Sequence, residues 1–403
     1  MIQKLVFKNT LLFSFILIFS CGNSATTKVG PEKLSIENNT SESTILTGAD
    51  NLKENLNLLK NKKIGIVTNQ TGILSNGTHL VDYLLSEKIK IKTIFAPEHG
   101  FRGTADAGEL IKDGKDTQTG LPIISLYGNN KKPKPEQLKG IEILIFDLQD
   151  VGARFYTYIS SLHYVMEACA ENNIPLLVLD RPNPNGNIVD GPILESEFHS
   201  FVGMHEIPVL HGMTIGEYAK MINGEKWLSN GVQCNLSVIS CKNYNRKMSY
   251  SLPVKPSPNL PNDQSINLYA SLCFFEGTNV SVGRGTDKQF QIYGSPFLPK
   301  SNFSFTPKPN LGAKDPIYNG KLCYGEDLTK AKKVSRLELQ WLIKAYNETA
   351  DKTKFFNSFF TKLAGTKKLQ QQIESGFSEV EIRASWQEDL ENFKVIREKY
   401  LIY

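Results

Sequence analysis

"IEILIFDLQD" (141–150) is an almost unbroken apolar run that stops at a cluster of acids and amides. A strand with one wet face would alternate apolar and polar residues. A run like this suits a strand covered on both faces, as in a parallel sheet. Four other segments share the design: "KIGIVTN" (63–69), "IKTIFAPEHG" (91–100), "PIISLYG" (122–128) and "PLLVLDRPNP" (175–184). Each breaks at Gly, Pro, Asn or Asp. "THLVDYLLSEK" (78–88) and "YISSLHYVMEACAEN" (158–172) lie between them with helical spacing. The alternation predicts an α/β doubly wound domain over residues 48–230.

The polar residues fall at the same relative position in each unit. Asn69 and Gln70, Glu98 and His99, Tyr127, Asp147 with Gln149 and Asp150, and Asp180 with Arg181 all follow an expected strand. Open parallel sheets bind ligands in the crevice outside that edge. Asp and Asn also end strands simply because they form turns and cap helices. Glu is a poor turn former, which makes Glu98, between Pro97 and His99–Gly100, the stronger functional candidate. "DLQDVGARFYTY" (147–158) adds Arg154, Tyr156 and Tyr158, a density of polar groups that packing alone does not require.

The chain has 403 residues, enough for two domains. Its net charge of +5 is modest and the basic residues are dispersed, which argues against a nucleic-acid footprint. No GxGxxG follows the first strand, no GxxxxGK[ST] occurs, and the six histidines form no HExxH pair, so neither a nucleotide cofactor nor a catalytic metal is expected. Residues 1–21 read as a targeting segment: Lys4 and Lys8, an apolar core "LLFSFILIFS", then Cys21. "IFSC" followed by Gly22 resembles a bacterial lipobox, which implies a lipid on Cys21 and a cell-envelope lipoprotein facing the periplasm or the surface. Residues 22–47 are polar and weakly patterned, as a tether would be. The remaining cysteines, 169, 234, 241, 273 and 323, match no zinc or CxxC spacing and read as buried free thiols.

From residue 231 to 403 the character changes, predicting a smaller second domain. "CNLSVISC" (234–241) reads as a strand, "LPVKPSPNLPND" (252–263) as a rigid irregular wall, and "LCFFEGTNVSVGRGTDKQFQIYGSP" (272–296) combines aromatics with Glu276 and Arg284. Helices are expected at 335–349 and 378–400, and Thr214/Glu217 and Ser378/Glu381 have capping-box spacing.

The ordered set "GIVTNQTG", "FAPEHGFRG", "FDLQDVGARFYTY", "DRPNP", "HGMTIGEYA", "SPNLP", "FEGTNVSVGRGT" and the closing "LENFKVIREKYLIY" resembles the bacterial exo-β-N-acetylmuramidase family (NamZ type) across nearly all of residues 50–403. The resemblance implies a Rossmann-like domain and a smaller C-terminal domain meeting at a cleft. It also implies removal of terminal N-acetylmuramic acid from peptidoglycan fragments without a cofactor. Glycoside cleavage needs an acid and a second group that attacks the sugar or activates water. Glu98 is the expected acid, with His99 to orient it; Glu276, Asp150 and Asp147 compete for the second role, as does the substrate's own acetamido oxygen. Arg102, Arg154, Arg181 and Arg284 are candidates for holding the lactyl carboxylate, and Asn69 and Tyr156 for lining the sugar site. The alternative is a lipid-anchored muropeptide-binding protein without turnover.

Overall fold

The computed structural model describes residues 44–102 and 113–403; Cys21 and most of the expected tether lie outside them. Seven strands form the larger sheet: β1 (Lys63–Thr68), β2 (Lys90–Ala96), β3 (Gly114–Lys115), β4 (Pro122–Ser125), β5 (Ile143–Asp147), β6 (Leu176–Leu179) and β7 (Leu236–Ile239). Their order is β3-β4-β2-β1-β5-β6-β7, with every pairing parallel except β3–β4 at the edge. Six parallel strands in this order are the doubly wound Rossmann arrangement, with its topological switch between β1 and β5.

Alternation explains the continuous apolar runs. Val67, Phe95, Leu144, Phe146, Leu176 and Val178 point into one core cluster. Ile64, Ile66, Ile94, Ile143, Ile145, Leu177 and Leu179 point into another, closed by the helix Leu80–Ser86. Both faces of the central strands are therefore dry, and their inner positions are mostly apolar, whereas Lys63, Lys90 and Lys92 toward the strand starts stay exposed.

The sheet runs on past residue 230. β7, from "CNLSVISC", pairs with β6, and its Leu176↔Leu236 to Leu179↔Ile239 register makes it the outer parallel strand. Beyond it, β8 (Ile292–Ser295), β9 (Ser304–Phe305) and β10 (Cys323–Asp327) form a small antiparallel sheet of order β8-β10-β9. Phe274, Phe360 and Phe393 from this later region share one core cluster with Phe146 and Leu162. The expected helices are shorter than their patterns: one covers Gln340–Glu348, and the last segment is split into Glu379–Ala384 and Gln387–Glu398 around Ser385 and Trp386. Both capping boxes form. All five cysteines of the described residues are buried free thiols.

A buried polar chain lies between the helices Tyr158–Glu171 and Ile215–Gly224. Nδ1 of His163 lies 2.9 Å from Nε2 of His205, and Nδ1 of His205 lies 2.8 Å from the Tyr218 hydroxyl. Burial holds His163 below the ordinary imidazole value despite the nearby Glu167 carboxylate, and holds His205 well below it, helped by its histidine neighbours. Depressed folded values mean that the unfolded chain takes up more protons, so this contribution is complete above about pH 6.5 and is lost as pH falls below it. Asp180 opposes it: burial pushes its carboxyl up to about 6, so its contribution is lost as pH rises toward that value. Two imidazoles outweigh one carboxyl. The urea midpoint should fall between pH 7.5 and 5.5; a midpoint that held or rose would contradict the reading.

Candidate functional site

Glu98 leaves the carboxyl end of β2, next to the switch point, in a turn closed by the Gly100 N–H donating to the Pro97 carbonyl (3.0 Å). His99 occupies the third turn position with φ of 71°. Only glycine takes that conformation without cost, so a buried imidazole there signals a strained, purposeful turn. Gly100 follows at φ of 76°, and together they turn the chain sharply behind the carboxylate.

Three hydroxyls converge on Glu98. Tyr127, just past β4, donates to Oε1 at 3.0 Å; Thr157 donates to Oε2 at 3.0 Å; Tyr158 reaches the Glu98 carbonyl at 3.5 Å. Thr157 and Tyr158 begin the fourteen-residue helix Tyr158–Glu171, so the carboxyl also faces a helix N-terminus. Glu98 itself is half-buried. A carboxyl with a donor at each oxygen, at a sheet's carboxyl edge, is held in a fixed orientation.

The other expected residues separate into supports and outliers. Asn69 is fully buried: its amide donates to the Tyr158 hydroxyl (2.7 Å) and its oxygen accepts from Thr71 N–H and hydroxyl (2.9 and 2.6 Å). It positions Tyr158 rather than lining a sugar site. Tyr156 packs edge-on against Tyr158 and donates to the Pro256 carbonyl (2.8 Å), while Gln70 donates to Lys255 O (3.0 Å). These bonds draw the proline-bound loop over the sheet's edge, as expected of a wall. A cavity of about 530 Å³ lies there, lined by Gln70, Lys255, Asp287 and Gln289.

Two of the arginines are corrected by their surroundings. Arg154 is 0 % exposed and donates to four main-chain carbonyls: Pro192 (2.9 Å), Ile207 (2.6 Å), Leu363 (3.0 Å) and Ala364 (2.7 Å). With no carboxylate beside it, burial lowers its pKa to about 9. It cannot reach a substrate. Arg181 grips Asp147 through two bonds of 2.6 and 2.9 Å, both side chains buried, which removes Asp147 from the competition for a free carboxylate and Arg181 from the anion-binding candidates. Arg102 is bound to Asp116 (2.6 Å) but stays 40 % exposed. Arg284 is paired with Glu276, and the two line a separate cavity of about 670 Å³ with Phe275, Ile317 and Phe359.

Asp150 is 3 % exposed. Oδ2 accepts from the Gly152 N–H (2.7 Å) and lies 3.5 Å from His211 Nε2, while Oδ1 has no partner among the described residues. Met213 N–H donates to His211 Nδ1, so a neutral His211 carries its proton on the side facing Asp150. Sequence reasoning passed over His211 and Thr157, although both sit in the motifs "HGMTIGEYA" and "DVGARFYTY". Nothing local distinguished them. Among the described residues no cluster of three or more His, Cys, Asp or Glu could hold a metal ion.

The fold and this acid place the molecule among Rossmann-order α/β proteins with a carboxyl-centred site at the sheet's carboxyl edge. Residues 64–264 and 267–403 match the N-terminal and C-terminal models of the exo-beta-N-acetylmuramidase NamZ family, and the chain belongs to that family. It is 41% identical over 390 residues to the peptidoglycan beta-N-acetylmuramidase NamZ of Bacillus subtilis, covering 89% of this chain and 91% of the relative. Two crystal structures of DUF1343-family proteins from Bacteroides fragilis share its fold. One has a TM-score of 0.82 at 46% identity, over 90% of this chain and 99% of that one. The other has a TM-score of 0.75 at 30% identity, over 89% and 99%.

Proposed function

We propose that this chain is an exo-β-N-acetylmuramidase that releases terminal N-acetylmuramic acid from the non-reducing end of peptidoglycan fragments, with Glu98 as the proton donor. The observation that carries the reading is the Glu98 carboxyl, held by Tyr127 and Thr157 in a chain of this family. Glu98 passes its proton to the glycosidic oxygen as the bond to the anomeric carbon breaks. A second group then attacks that carbon or activates the water that ends up on it. Asp150, whose Oδ1 has no partner among the described residues, and Glu276 are the protein's remaining candidates for that role, beside the sugar's acetamido oxygen. Incubation with a β-N-acetylmuramyl disaccharide should release free N-acetylmuramic acid. Binding of the disaccharide without release would instead support a muropeptide-binding protein.

We further propose that Cys21 carries a lipid that tethers the protein in the cell envelope, on the strength of the "IFSC" ending of an apolar run. Cys21→Ser should move the protein from the membrane fraction to the soluble one. Continued sedimentation with membranes, and no lipid on the wild type by metabolic labelling, would count against the anchor.

A further inference from the structure

Muramic acid differs from glucosamine by a lactyl ether ending in a carboxylate, and the arginines expected to hold it are already engaged. Arg154 and Arg181 are enclosed, Arg102 is bound to Asp116, and Arg284 to Glu276. Among the described residues, a lysine is linked to Glu98 through two aromatic rings. Lys131 lies 4.5 Å above the ring of Phe201. Phe201 in turn packs against Tyr127, at 6.3 Å between ring centres, and Tyr127 holds Glu98. Lys131 is half-buried, and among the described residues it has no carboxylate partner. Its neighbour Lys132 is fully engaged, at 2.7 Å from both Glu167 and Glu171.

The platform beneath Lys131 is built by the same helix that positions the acid. From Tyr158–Glu171, Ser160 donates to the Phe201 carbonyl (2.7 Å) and Tyr164 stacks on the Phe201 ring at 20°. Thr157, at the start of that helix, bonds to Glu98. A lysine whose ammonium already rests over an aromatic face has fewer conformations to lose on meeting an anion, and the ring, unlike a carboxylate, does not neutralise its charge.

We propose that Lys131 receives the lactyl carboxylate of the terminal sugar and thereby sets the preference for an anionic muramide. The proposal rests on the glycosidase reading and extends it to the recognition of the substrate's charge. The test compares kcat/KM on 4-nitrophenyl β-N-acetylmuramide with that on its lactyl methylamide, which has the same shape without the charge. The wild type should prefer the carboxylate by about tenfold or more, the scale of a partly exposed charged hydrogen bond. Lys131→Met, which keeps an unbranched apolar side chain and removes the charge, should bring that ratio close to one. Lys131→Arg should keep most of the preference, and thermal melts should show both variants folded. Three results would overturn the proposal: a wild-type ratio near one, a ratio that survives in Lys131→Met, or a ratio that collapses only in Arg102→Ala. A wild type inactive on both glycosides and on the disaccharide would overturn the glycosidase reading itself, and this proposal with it.

Discussion

Glu98→Gln should lower kcat on a muramyl disaccharide by at least about a hundredfold, the usual contribution of a positioned general acid. The substitution removes the transferable proton and little else. Gln keeps an oxygen for one of the two hydroxyls, and the other hydroxyl, on Tyr127 or Thr157, can rotate to accept from the new amide. Stability should therefore stay close to wild type. The loss should also depend on the leaving group. A sugar alcohol leaves only when protonated, whereas a nitrophenolate departs unaided, so the defect should shrink on the chromogenic glycoside. Near wild-type turnover of the disaccharide, or the same loss on both substrates, would remove Glu98 from the acid role.

Arg154→Met should be the most destabilising single change in the site's neighbourhood. The side chain is fully enclosed, and its loss strands three buried carbonyls, those of Pro192, Leu363 and Ala364, while the Ile207 carbonyl still accepts from the Leu194 N–H (3.2 Å). At about 1 kcal/mol each, the low end for an orphaned buried group, the total is about 3 kcal/mol. That is a large share of the ~5–15 kcal/mol that holds a typical fold together. The two halves of the chain should loosen from each other first. Leu363 and Ala364 end a helix, and the guanidinium sits at the negative end of its dipole. Arg154→Lys, with three donors in place of five, should fall between the two. Urea unfolding decides the matter: a wild-type midpoint in Arg154→Met, together with a raised KM for the muramide, would return Arg154 to the list of substrate-binding residues.

The contrast between Glu98 and Arg154 marks how far the residues could be read in order. The apolar runs and the polar residues that end them were legible because burial on both faces imposes a local rule on the inner positions of the central strands. Glu98 stood out because glutamate has no local reason to follow a strand and precede His–Gly. The capping boxes at Thr214 and Ser378 were legible for the same cause: their partners lie three residues away.

Tertiary structure alone decided which charge meets which partner. Arg154 finds its carbonyls 38 to 210 residues away, Arg181 finds Asp147 at a separation of 34, and Thr157 reaches Glu98 across 59. An arginine in a motif looks the same whether it will clasp main chain, neutralise an acid or wait for a ligand, because a charge has no directional preference until the chain brings a counterpart to it. Lys131 illustrates the reverse. In sequence it is one of several lysines in a polar loop, and only the placement of Phe201 under it and against Tyr127 links it to the acid. Periodicity is a property of neighbours along the chain and survives in the sequence, whereas pairing is a property of neighbours in space and appears only when the chain has folded.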